Sequence, residues 1–185
     1  NFSEKIRFED DGYYSCLVVV KAKNYILLTE DGQIKYKGSA IKSTNKEPAL
    51  KQFIKDIVDS ILNGKMNYIE IYNQYVKEIL NIKDIKRWAN KKTITDKVLQ
   101  SERTNEVKVR DAIAGSEYVE GDKAFFYYDE ESNLKLAEQF DGKYNKDKLL
   151  DKLYKTALTF ETIIPKEIFI NFKLKKNKKL LDELS

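Results

Sequence analysis

The apolar pattern changes period near Ser43, and that change limits the fold more than any other feature of the sequence. Before it, β-prone runs at residues 6–9, 13–21, 24–29 and 33–37 are separated by turn residues. Asp31-Gly32, between the last two runs, is a strong hairpin signal. After it, Leu50, Phe53, Ile54, Ile57, Val58, Ile61 and Leu62 recur at helical spacing up to Asn63-Gly64. A block of strands followed by a block of helices reads as α+β. The expectation is a small antiparallel β-meander followed by a mainly helical lobe that carries a small β element.

Local signals divide the rest of the chain. Thr44 and Glu47 have capping-box spacing, with Pro48 tolerated in the first helical turn. A second helix is expected from Asn67, with Ile69, Tyr72, Val76, Ile79 and Leu80 as its stripe, packed antiparallel to the first. Residues 86–95 read as extended, 106–114 as a short helix, and 124–128 as a strand with 134–137 beside it. A long last helix is expected over 145–164, its core face formed by residues such as Leu149, Leu153, Ala157 and Phe160, with Pro165 as its stop. The division is then a segment 1–43, a lobe 44–171 and a lysine-rich tail 172–185 that ends Leu180-Leu181-Asp182-Glu183-Leu184.

Composition removes several kinds of chemistry. Histidine is absent, which excludes Ser–His and Cys–His catalysis and histidine-based zinc sites. The lone Cys16 excludes an internal disulfide and any multi-cysteine metal site, and its apolar run reads as core filling. No apolar run approaches the ~20 residues that span a bilayer, so no membrane partner is expected. The polar, acidic start lacks the pattern of a secretory signal, and the expected location is intracellular and reducing, cytoplasm or nucleoid. A chain that opens on Asn1 and not on Met reads as a processed piece, a deliberately cut piece, or a chain whose true start is missing. Net charge is +4, and the cations are mostly lysines, with arginine only at Arg7, Arg87, Arg103 and Arg110. Lysine suits phosphate contact better than bidentate reading of base edges, so any nucleic-acid binding should be largely sequence-independent.

The most informative segment is Val18-Val19-Val20-Lys21-Ala22-Lys23-Asn24-Tyr25-Ile26-Leu27-Leu28, a strand that ends in lysines before a Lys-x-Tyr step opens the next. It continues through Asp31-Gly32 and Ile41-Lys42-Ser43 into the first long helix. This order resembles the end of the palm domain of family B DNA polymerases, where a Lys-x-Tyr motif precedes the thumb. Residues 88–98 look like the extended thumb segment, Glu106-Val107-Lys108-Val109-Arg110-Asp111-Ala112-Ile113 like the helix over the duplex, and Gly121-Asp122 before residues 124–128 like a strand entry. Phe140-Asp141 before a long helix is similar to the family's closing segment.

The resemblance implies a primer–template-binding part of a DNA-directed DNA polymerase, a fragment or the small subunit of a split enzyme such as viruses and archaea encode. Lys23 and Tyr25 would lie along the DNA near the primer 3′ end, with Lys21 facing phosphate; the alternative makes Lys23 an edge-strand lysine and Tyr25 strand filling. Lys42, Arg87, Lys91, Lys92, Lys108 and Arg110 are candidates for backbone contact, each with a solvated-face alternative. The family's Asp-Thr-Asp catalytic motif, its nucleotide-site motif and its fingers helix are missing, so the chain should not polymerise alone. It would bind no metal or cofactor itself, and Mg2+ would belong to the complete polymerase. Glu9 falls near an auxiliary carboxylate of some members; the alternative is a solvated acidic turn. The implied partners are primer–template DNA and a chain bearing palm and fingers, and also a sliding clamp if Leu180, Leu181 and Leu184 form a docking peptide instead of packing on the lobe. Two other classes stay open: a stand-alone basic nucleic-acid-binding module, and a structural adaptor whose tyrosine-rich helices form a protein interface.

Overall fold

The computed structural model describes residues 14–42 and 46–175. The chain is an α+β fold that divides into two compact units, Asn1–Ser43 and Thr44–Ser185.

The first unit is a three-stranded antiparallel sheet in the order β1 (Tyr14–Lys21), β2 (Asn24–Thr29), β3 (Ile34–Lys37), followed by a single helical turn, α1 (Ser39–Lys42). The Asp-Gly signal forms the β2–β3 turn. Gly32 takes φ 80°, and its N–H donates to the Thr29 carbonyl at 3.0 Å. The Thr29 hydroxyl contacts the Asp31 carboxylate, and that hydrogen bond holds the Asp31 carboxyl below its ordinary pKa. Cross-strand pairs Leu17–Leu27 and Val18–Ile26 fix the β1–β2 register.

The second unit starts with α2 (Pro48–Leu62) and α3 (Tyr68–Leu80). Contacts of Ser60 with Asn67 and of Asp56 with Tyr75 show that the two helices run antiparallel. Then come a 3-10 turn (Ile85–Trp88), β4 (Asn90–Thr93), α4 (Asp96–Gln100) and α5 (Thr104–Ile113). β5 (Lys123–Tyr128) and β6 (Leu134–Leu136) complete an antiparallel sheet in the order β4-β5-β6. α6 (Lys146–Ala157) and α7 (Lys166–Lys175) follow.

Two cores hold this unit. One is aromatic: Phe53 meets Tyr72 and Tyr75 edge-on at 6.1 and 5.2 Å, and Phe172 of α7 stacks on Tyr72 at 4.0 Å. Its polar ends are satisfied, as buried groups must be. The Tyr75 hydroxyl donates to Asp56 at 2.6 Å, and the Tyr144 hydroxyl donates to the Ile79 carbonyl at 2.6 Å while accepting from Ile82 N–H. The other core places Val109 and Ile113 of α5 against Ala124, Phe126 and Leu136 of the sheet.

Four expectations are corrected. Thr44 lies outside the described residues, and Glu47 is the N-cap of α2 with no capping hydrogen bond from its side chain. Pro48 favours extended backbone in the residue before it, which keeps Glu47 out of the helix, and the carboxylate contacts Lys152 instead. Residues 86–95 are only partly extended, because the 3-10 turn buries Trp88 and its indole N–H donates to Glu78 at 2.8 Å. The last helix ends at Ala157, passes into a 3-10 turn at Leu158–Phe160, and is followed after Pro165 by α7, so Phe172 is a buried residue of a further, largely exposed helix. Cys16 is half-buried in β1.

Candidate nucleic-acid interface

The Lys-x-Tyr step lies where β1 turns into β2. Lys21 pairs with Asn24 across the ladder, and a register irregularity between Val19 and Lys21 accompanies the tight reversal through Ala22-Lys23. Lys23 takes φ 60°, a left-handed conformation that costs a non-glycine residue about 1 kcal/mol or more. Two contacts hold the reversal. The Asn24 side-chain amide is buried and donates to the Ala22 carbonyl at 2.9 Å. Gly38, at φ 102°, approaches so closely that a Cβ there would stand 2.3 Å from the Lys23 carbonyl oxygen and 2.2 Å from Asn24 Oδ1.

This arrangement exposes Lys21 and Lys23 on a braced corner, while Tyr25 is half-buried between its cross-strand partners Val19 and Lys37. The neighbouring surface of β1 is apolar, with Val19 61% and Leu17 39% exposed. A held corner of this kind can present two ammoniums and one amphipathic ring to a polyanion with little further loss of conformational entropy.

The remaining candidates are not equivalent. Lys42 is exposed at the end of α1. Arg87 is ion-paired with Glu78, which raises its pKa through that hydrogen bond, and its guanidinium lies 6.0 Å from the Tyr75 ring. Arg110 donates to the Leu99 and Ser101 carbonyls at 3.2 and 3.3 Å, bracing the connection between α4 and α5. Both arginines thus have structural partners. Lys91 and Lys92 are consecutive in β4 and point to opposite faces of the sheet. Lys91 is exposed, 5.5 Å from the Phe125 ring, whereas Lys92 turns into a cavity. Lys108 is exposed on α5.

That cavity also holds residues that sequence reasoning passed over. Lys148 and Lys152 of α6 line it with Lys92, and Glu47 reaches it from the start of α2. Spacing alone marks Lys148 and Lys152 as one helix face, but nothing in the sequence brings Lys92 or Glu47 to them. Glu9, Leu180, Leu181 and Leu184 lie outside the described residues. Among the described residues there is no group of three or more Asp, Glu, Cys or His side chains that could hold a metal ion. No helix among them is long and apolar enough to cross a membrane.

No protein-family model matches the chain, and no curated protein matches it. Solved structures do match its fold. The family B DNA polymerase from the hyperthermophilic archaeon Pyrobaculum calidifontis matches over 84% of this chain with a TM-score of 0.66 and 16% identity, and the match covers 22% of that polymerase. At that identity the likeness is one of fold.

Proposed function

We propose that this chain is the primer–template-gripping portion of a family B DNA polymerase, comprising the end of the palm and the thumb. The observation that carries the reading is the fold match to 22% of a family B polymerase, in a chain whose Lys-x-Tyr step occupies an exposed, braced corner. In this reading Lys21, Lys23 and Tyr25 hold the DNA near the primer end, and the helical unit from Thr44 onward closes over the duplex. The metals and the bond-making step belong to a chain or segment bearing palm and fingers, with Mg2+ held there. This portion contributes positioning, which lowers the entropic cost of bringing the primer terminus to the nucleotide. Lys42, Lys91 and Lys108 are the remaining backbone contacts of choice, since Arg87 and Arg110 are engaged within the protein and Lys92 faces a cavity.

The test is binding of a fluorescent primer–template junction, a blunt duplex and a single strand across a salt series, with and without the catalytic portion. The proposal expects a preference for the junction that grows when the catalytic portion is present, and affinity that falls steeply with salt. Equal binding of all three, unaffected by the catalytic portion, would favour a stand-alone basic module. No salt-dependent binding at all would favour an adaptor.

A further inference from the structure

The cavity between α6, the edge of β4 and the start of α2 has a volume of about 160 Å³. That is below the ~300 Å³ at which pockets for drug-sized ligands begin. Its charged lining is uneven: Lys92, Lys148 and Lys152 face one carboxylate, Glu47. Glu47 is buried and committed to Lys152. Lys148 is half-buried, with its Nζ 3.1 Å from the centroid of the Tyr128 ring. Burial, then the neighbouring charges of Lys152 and Lys108, depress its pKa. Lys46, beside Glu47, is likewise depressed by burial. Keeping three ammoniums together in a half-buried site is costly when its single carboxylate, Glu47, is already paired with Lys152.

The lining also limits what that anion can be. Asn90 and Asn145 add polar groups, whereas the aromatic lining offers little open face: Trp88, Phe126, Tyr127 and Tyr144 are buried, and Lys148 covers Tyr128. A nucleobase therefore finds no platform, while a small multivalent oxyanion finds several donors.

We infer that this cavity is a binding site for a phosphate-class oxyanion, either free phosphate or the terminal phosphate of a polynucleotide, held by Lys92 and Lys148 with Lys152 as the charge bridge to Glu47. The site belongs wholly to the second unit and stands whether or not the chain grips a primer–template. The competing account is that Tyr128 and Glu47 satisfy the lysines and only water enters.

Trp88 is the chain's single tryptophan and lines the cavity, so its emission reports occupancy directly. The experiment titrates the full chain with sodium phosphate at constant ionic strength, following Trp88 fluorescence and, independently, heat by calorimetry. A second arm compares a short 5′-phosphorylated single strand with its 5′-hydroxyl twin. The inference expects saturable binding of phosphate, or a preference of about tenfold for the phosphorylated strand, weakened about tenfold or more by Lys148→Gln. Phosphate binding alone identifies the free ion, and strand discrimination identifies a polynucleotide end. If Lys148→Gln does not fold, as judged by its thermal transition, Lys92→Gln carries the same test. No saturable binding in either arm, or binding that a folded variant leaves unchanged, overturns the inference.

Discussion

The two units reach stability by different routes. Among its described residues the first is a small sheet with a helical turn, whose buried apolar residues are Val20, Ile26, Leu27 and Ile41, and which leaves Val19 and Leu17 in contact with solvent. Its order depends on backbone fit, above all on the close approach of Gly38 to the Lys23–Asn24 corner. The second unit has two cores and several aromatic side chains whose polar atoms are hydrogen-bonded. Its order depends on packing. A three-stranded sheet with one helical turn lies near the lower limit of independent stability, whereas a multi-helix unit with interlocked aromatics does not. The unit with the thinner described core carries the corner proposed to bind DNA, as expected if binding segments sit on lightly packed elements.

The sharpest way to break the contrast is in the aromatic core. Phe53 is fully buried and meets two tyrosine rings edge-on. Phe53→Ala should cost about 3–5 kcal/mol in chemical denaturation, by lost transfer energy plus a cavity. The β1–β2–β3 sheet should keep its slow amide exchange while the helical signal melts early. If both units lose order together, the division into independent stabilities is wrong. Gly38→Ala tests the other side. Its Cβ would overlap backbone and the Asn24 amide at a positive φ, so a loss of roughly 1–3 kcal/mol is expected, confined to faster exchange at residues 21–28. A fully normal exchange pattern there would show that the corner is not held by this approach.

Much of this was legible in the chain, and the exceptions have physical causes. Asp31-Gly32 announced its turn because few residue pairs supply that backbone, and the α2 and α3 stripes announced themselves by repetition. Pro165 was readable only as a stop, although proline near a helix start is equally allowed, and α7 mixes lysines with Phe169 and Phe172 so that its stripe is faint. α6 stops at Ala157 without any helix-breaking residue, so its end is set by surroundings that periodicity does not encode. Among the candidate contacts, the corner lysines were visible as a local motif. The partners of Arg87 and Arg110, nine to eleven residues away, were not, and still less was the Glu47–Lys152 pair, 105 residues apart. Side-chain type suggests a role, but only the tertiary neighbours decide whether the charge is already engaged.

Alkaline pH should sharpen the comparison further. Burial raises the pKa of Tyr72 and Tyr75, and in Tyr75 the hydrogen bond to Asp56 adds to it. Both hydroxyls therefore stay protonated in the folded state while unfolded tyrosine ionises near its ordinary value of 10. The folded state then binds more protons than the unfolded one. Stability is complete below pH 10 and falls as pH rises, by up to about 1.4 kcal/mol per pH unit for each such tyrosine. Tyr72→Phe should shallow that slope. An unchanged slope would mean that the aromatic core admits water at high pH.

The smallest expected effect bears most directly on the corner. Lys23→Ala removes the ammonium yet keeps a non-glycine residue at φ 60°, so the backbone cost is the same before and after. Any change in binding then reports the charge and not the turn. Loss of a single phosphate contact should weaken primer–template binding about equally across sequences and lower the magnitude of the salt slope by about 1. Lys23→Gly is the informative companion. It also lacks the charge but relieves the left-handed strain, and should bind as poorly as Lys23→Ala while gaining a few tenths to about 1 kcal/mol of stability. If Lys23→Gly binds worse than Lys23→Ala, the corner contributes through rigidity more than through its charge. If both bind like the unmodified chain, Lys23 is a solvated turn lysine and the DNA lies elsewhere.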